Sequence, residues 1–282
     1  MKLREVISHH RYLYHVLDKE EISEGALDSL KHELYGLEQK FPELITKDSL
    51  TQRIGGTPLP KFEKVEHKKR MLSMDVVFSD EELAAWEQRL RKMCASEDTE
   101  YYCMTKLDGL AMSLTYEGGV MKVAATRGNG KIGENVTQNV RTIESVPLRL
   151  RTPSSSELAS LKKRFNLSKK TIDILLDPAG VWEIRGEVFM AKKDFDQMNN
   201  ARKKKGEALF ANPRNVSAGS VRQLDSKITA TRPLTFAAWR LETDLGHKTQ
   251  EAGMEILRLL GFMINPGERC KDLKNVKSYY RK

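Results

Sequence analysis

Three cysteines in 282 residues, Cys94, Cys103 and Cys270, stand apart without a C-x-x-C pair, so neither a zinc site nor a disulfide framework is indicated. A reducing cytoplasm is the simplest setting for such a chain. Long apolar runs are also missing. Nothing approaches the roughly 18 apolar residues of a membrane span, and the opening Met1-Lys2-Leu3-Arg4-Glu5 has no apolar signal core. No membrane partner is therefore expected. The phosphate-cradling loop G-x-x-x-x-G-K-[ST] is absent as well. Gly128-Asn129-Gly130-Lys131-Ile132-Gly133 does satisfy the dinucleotide pattern G-x-G-x-x-G. That pattern needs a strand, a helix and a second parallel strand, whereas the strand before it reads as the return arm of an antiparallel hairpin, so we reject it. What is present is 39% hydrophobic residues, enough for a core, and 48 basic against 39 acidic side chains. The formal charge of +9 suits a polyanionic partner, though it also suits a basic solvated face.

In chain order, Leu3 to Leu17 and Ser23 to Phe41 read as a helical hairpin, the second helix with Leu27, Leu30, Leu34 and Leu37 at helical spacing. The punctuated stretch Thr51 to Pro60 ends it and sets a domain boundary at residue 60. Ser79 is placed to cap a helix whose Leu83, Trp86 and Leu90 form a buried face. Leu110, Met112, Leu114 and Tyr116 alternate with smaller residues, Gly118-Gly119 turns the chain, and Val120 to Arg127 returns. Arg151 to Asp177 reads as solvated scaffold, Val181 to Met190 and Thr235 to Trp239 as strands, Asp194 to Lys205 as a basic helix, and Glu251 to Leu260 as an amphipathic one. The mixture predicts an α+β chain. Between two strand candidates lies Thr105-Lys106-Leu107-Asp108-Gly109. A partly buried lysine at a strand end can lose its proton and attack phosphorus or carbonyl carbon. On residues alone, a surface turn that happens to contain a lysine is the favoured explanation of this stretch.

Lys106-Leu107-Asp108-Gly109-Leu110-Ala111 resembles the adenylylation motif of bacterial NAD-dependent DNA ligases. Ala125-Thr126-Arg127-Gly128, Gly133 to Thr137, Arg141-Thr142-Ile143, Arg185-Gly186-Glu187-Val188, Phe210 to Asn215 and Arg222 to Asp225 agree with that family in order and approximate spacing. The resemblance implies a small helical domain over residues 1–60 that recognises the nicotinamide mononucleotide half of NAD. It also implies a nucleotidyltransferase domain of ATP-grasp-like ligase type over 61–282, built on antiparallel sheets and incomplete at its C-terminus. Lys106 would be the nucleophile and Asp108 its orienting carboxylate. Tyr14, His15, Glu24 and Asp28 would meet the nicotinamide half, and Ser73, Met74, Met104, Arg127 and Glu187 the adenylate, with Glu187 on the ribose. Arg214 and Arg222 would contact phosphates of nicked double-stranded DNA, and Mg2+ would offset phosphate charge.

Three positions depart from the family pattern: Glu24 stands where aspartate is common, Leu27 where tyrosine is common, and Met104 where a glutamate usually accepts a hydrogen bond from the adenine amino group. The chain also stops before two lysine-bearing strand motifs and the later DNA-encircling modules of the family. The resemblance thus implies poor nick sealing unless a second chain supplies them. An ATP-using nucleotidyltransferase and a non-catalytic nucleic-acid-binding descendant of a ligase are the alternatives.

Overall fold

The computed structural model describes residues 2–17, 19–53, 59, 61–94 and 99–282, without the side chains of His15 and Glu24. The expected boundary at residue 60 lies outside the described residues. The chain forms α1 (Lys2–Leu17) and α2 (Glu24–Lys40), then β1 (Lys64–Glu66), α3 (Asp80–Cys94), β2 (Tyr101–Met104), β3 (Leu110–Glu117), β4 (Val120–Thr126), β5 (Ile132–Glu134) and α4 (Thr137–Arg141). Next come α5 (Ser155–Phe165), α6 (Lys169–Leu176), β6 (Val181–Phe189), α7 (Lys192–Lys204), α8 (Pro213–Val221), α9 (Ser226–Ala230), β7 (Thr235–Leu241), α10 (Gln250–Leu259), β8 (Gly267–Cys270) and α11 (Leu273–Tyr280). This is the α+β class expected from the sequence.

A four-stranded antiparallel sheet in the order β4-β3-β6-β7 carries the core, and the pairs β1-β5 and β2-β8 flank it. Period-two alternation gives the central sheet two unlike faces. Met112, Leu114 and Tyr116 lie opposite Gly186, Ile184 and Trp182, and Leu114, Tyr116, Ile184 and Trp182 are buried with Phe236, Leu257 and Phe262 in one cluster. The other face presents Ala111, Ser113 and Thr115 opposite Glu187, Arg185 and Glu183. Two expectations are corrected here. The stretch after Arg151 is no mere scaffold, because Leu158, Leu161 and Leu175 enter the core. Leu83, Trp86 and Leu90 are only half-covered, since α3 lies at the rim, where Trp86 packs on Tyr101 with ring centroids 5.9 Å apart. Ser79 does cap α3, accepting a hydrogen bond from the Glu82 N–H at 3.2 Å.

The helical hairpin has its own small core of Ile7, Leu27 and Leu34 and docks through arginines. Arg53 is buried and donates to the carbonyls of Arg141, Ile143 and Val146 at 2.8, 2.9 and 2.9 Å. Arg11 meets both the backbone oxygen and the carboxylate of Glu144. From the other side, Arg151 stacks on the Tyr12 ring and Arg258 donates to its hydroxyl. Burial, with the like charge of Arg11 adding to it, pushes the Arg53 guanidinium down to about 9. The Arg141 and Val146 carbonyls nonetheless depend on it, while the Ile143 carbonyl also accepts from the Val146 N–H at 3.1 Å. Arg53→Met should therefore lower the unfolding free energy by about 2–4 kcal/mol, since each abandoned buried acceptor costs about 1–3 kcal/mol. Arg53→Lys should recover only part of this, because an ammonium lacks the planar fork. Denaturant midpoints of the three proteins measure the effect.

Candidate active site

The loop carrying Lys106 is set by what precedes and follows it. Upstream, β2 ends at Met104, paired with Gly267 of β8. Downstream, Gly109 runs so close to β6 that a Cβ there would collide with the Val188 carbonyl, which explains why the motif requires glycine at this position. The Gly109 N–H donates to the Glu187 carboxylate at 3.1 Å. Arg214, in the first turn of α8, pairs with Asp108 at 3.0 Å. Lys106, Asp108, Glu187 and Arg214 are thus one electrostatic cluster. Burial raises the pKa of Glu187, and the Gly109 hydrogen bond and the charges of Lys106 and Arg214 offset this only in part. Lys106 itself is exposed, so the partial burial expected from the sequence is not found. Within the loop Thr105, Lys106 and Asp108 are exposed, while Gly109 is buried.

Other expected residues gather around this face at different depths. Arg127 gives its backbone N–H to the Ala111 carbonyl at 3.1 Å while its side chain stays exposed. Arg222 grips Glu134 with two hydrogen bonds, at 2.8 and 3.2 Å. Burial pushes Glu134 upward, but Arg222 and Lys64 outweigh it and hold the carboxyl below its ordinary range. Met104 is half-buried and packs against the main core. Ser73 and Met74 are exposed beyond an anchored stretch: the His67 N–H donates to Lys131 O at 2.8 Å, and the Met71 N–H to Gly130 O at 2.9 Å. The strand before Gly128 is the antiparallel return arm of a hairpin, in keeping with the rejected dinucleotide reading.

Tyr14 lies elsewhere, lining a cleft in the helical hairpin with His10, Ile22, Leu27, Lys31 and Glu144. Asp28 is nearby on α2, in an ion pair with Lys31 at 3.1 Å. The side chains of His15 and Glu24 lie outside those described. The hairpin contacts described above run to residues 141–151 and Arg258, so the Tyr14 cleft and the Lys106 cluster are separate groupings.

Two residues of this face escaped the sequence reading. Arg185 is buried, paired with Glu183 at 2.9 Å and Glu242 at 3.3 Å, and donates to the carbonyls of Lys69 and Arg70. Its signal was the stripe Glu183, Arg185, Glu187 at spacing two. Asn265 is buried and donates to the Thr105 carbonyl, a contact across 160 residues that no local pattern announces. No group of three potential metal ligands gathers among the described residues, and Asp108, Glu134 and Glu187 have partners within the protein.

The raised pKa of Glu187 has a testable consequence. As the pH falls, this carboxylate protonates before an ordinary glutamate does and becomes a weaker acceptor for the Gly109 N–H. Because its folded pKa lies above the unfolded one, protonation does not itself destabilise the fold. The protection factor of the Gly109 amide should drop at mildly acidic pH while global stability holds. Glu187→Gln should remove that pH dependence, as amide exchange by NMR would reveal. Gly109→Ala, by contrast, should disrupt the loop at every pH.

Comparison with known proteins accords with this arrangement. Residues 1–55 match the family described as DNA ligase-like, N-terminal NAD+-binding domain, and residues 59–175 and 169–282 match the NAD-dependent DNA ligase adenylation domain. The DNA ligase of Halothermothrix orenii is 44% identical over 276 residues, covering 97% of this chain and 37% of that protein. The DNA ligase of Acetivibrio thermocellus is 44% identical over 279 residues, covering 98% and 38%. That of Saccharophagus degradans is 42% identical over 283 residues, covering 99% and 39%. The chain therefore spans under two fifths of the length of these curated relatives. With nearly its whole length matched, the chain belongs to the NAD-dependent DNA ligase family.

Proposed function

We propose that this chain performs the adenylylation half of DNA ligation, with NAD as the substrate that donates AMP. Residues 1–60 act as the nicotinamide mononucleotide-recognition domain and 61–282 as the adenylylation domain. The amine of Lys106 attacks the α-phosphorus of NAD. A P–N bond forms, the P–O bond to nicotinamide mononucleotide breaks, and the amine gives up a proton. The resulting lysyl-AMP passes its AMP to a 5′-phosphate at a DNA nick, where the neighbouring 3′-hydroxyl displaces it.

The observation that carries this reading is the convergence of Lys106, Asp108, Glu187 and Arg214 at one loop. Glu187 is suited to accept hydrogen bonds from ribose hydroxyls, since a carboxylate accepts two at once. Ser73, Met74, Met104 and Arg127 complete the adenylate side. Tyr14, His15, Glu24 and Asp28 serve the nicotinamide half, where an aromatic ring can stack on the base. Arg214 and Arg222 serve DNA phosphates. Both are held by carboxylates now, but the pairs are exposed on the arginine side, with 57% and 55% of the side chain accessible. Exposed pairs contribute only about 0–1 kcal/mol, so exchanging carboxylate for phosphate costs little. Magnesium has no protein cage here and would be held through the substrate's phosphates, as is usual for this ion.

Intact-mass measurement after incubation with NAD should find the parent protein heavier by one AMP. Lys106→Ala should carry no adduct and keep its fold. Labelled AMP attaching to that variant at the parent rate would disprove the assignment. Tyr14→Ala should require more NAD for the same adduct yield, without slowing transfer of AMP already attached to Lys106. Adduct formation from ATP but not NAD would instead favour an ATP-using enzyme.

A further inference from the structure

Besides the Asp108–Arg214 ion pair, side chains hold the backbone of the loop that bears Lys106 at two points, and only the downstream one is explained by the reading above. Glu187 holds the Gly109 N–H. Upstream, the β2–β8 ladder ends where Met104 faces Gly267, leaving the Thr105 carbonyl as the first acceptor beyond the pairing. The side-chain amide of Asn265 donates to that carbonyl.

Asn265 is itself anchored. It is 6% exposed, and its backbone N–H donates to the Ala238 carbonyl at 3.1 Å, while the Ala238 N–H donates to Met263 O at 2.8 Å. Ala238 belongs to β7 and adjoins Ala237, which lies opposite Glu187. Pro266 follows, and a residue before proline is biased toward extended backbone, which narrows the directions in which the Asn265 side chain can leave. Both fasteners therefore rest on neighbouring positions of the β6–β7 pair.

The Thr105 carbonyl and the Lys106 N–H share one rigid peptide plane. Fixing that carbonyl fixes the plane from which the Lys106 side chain departs. We propose that Asn265 is a positioning residue for the nucleophile, holding the Thr105–Lys106 peptide so that the amine is presented at one angle between its two fasteners. The inference rests on Lys106 being the acceptor of AMP.

Misplacing a reacting group by about 1 Å costs on the order of a hundredfold in rate. For Asn265→Ala, single-turnover adduct formation from NAD should fall by about 30-fold or more. NAD affinity by calorimetry should change by less than about twofold, because a positioning residue acts on the loop and not on the bound ligand. Hydrogen exchange should accelerate at residues 105–109 and stay unchanged in β3 and β6. Asn265→Ser, which keeps a shorter donor, should recover part of the rate. An adduct rate and loop exchange both equal to those of the parent would overturn the proposal. So would a slower rate accompanied by faster exchange throughout the sheet, since that describes a structural residue only. If the parent itself forms no adduct with NAD, the functional reading fails separately, and loop exchange in Asn265→Ala alone decides whether the fastener exists.

Discussion

Strand β6 must satisfy two demands with one alternating sequence. Trp182, Ile184 and Val188 are buried on one face, while Glu183, Arg185 and Glu187 line the other. A slip of one residue would drive three charged side chains into the core, so the apolar face enforces the register of the polar one. Glu187 therefore arrives opposite Ala111 without any interaction of its own selecting that place. The Lys106 loop inherits its position from this register, through Gly109 packed against Val188 and through the Gly109–Glu187 hydrogen bond.

Much of this could be read from residue order because it is local. The β3–β4 hairpin is specified by alternation around Gly118-Gly119, both in left-handed backbone at φ 54° and 74°. Both helices of the hairpin appear within a residue of their expected limits. The loop from Lys106 to Gly109 and the strand that carries Glu187 fall as expected, because their motifs are short and contiguous. What stayed hidden depends on distance along the chain. Asn265 reaches Thr105 and Arg185 reaches Lys69 across long separations, and neither contact leaves a periodic trace. The exposure of Lys106 was likewise unreadable, because flanking apolar strands suggest burial that the path of the loop between them does not give.

Two kinds of electrostatics coexist in the molecule. Around Lys106 the pairs are shallow and can trade partners, as Asp108–Arg214 illustrates. Beneath the 67–71 stretch, Arg185 and Glu242 are both nearly inaccessible and lock that stretch to the sheet. Breaking a buried pair by removing one partner costs several kcal/mol, whereas an exposed one is nearly neutral. A shallow, exposed set of charge pairs is thus mounted on a buried one.

The Arg53 contacts carry an implication for how this molecule can vary. All three acceptors are main-chain oxygens, which every residue type supplies identically. The Arg53 hydrogen bonds themselves are therefore indifferent to the side chains at these three positions, although Arg141 also donates to the Lys47 and Gln52 carbonyls and Ile143 and Val146 are buried in the core. Insertion or deletion of one residue between 141 and 146 would move the carbonyls out of reach. The Arg53 contacts are thus sensitive to the length of this segment more than to its residue types, so natural or engineered diversity there should keep a segment of constant size.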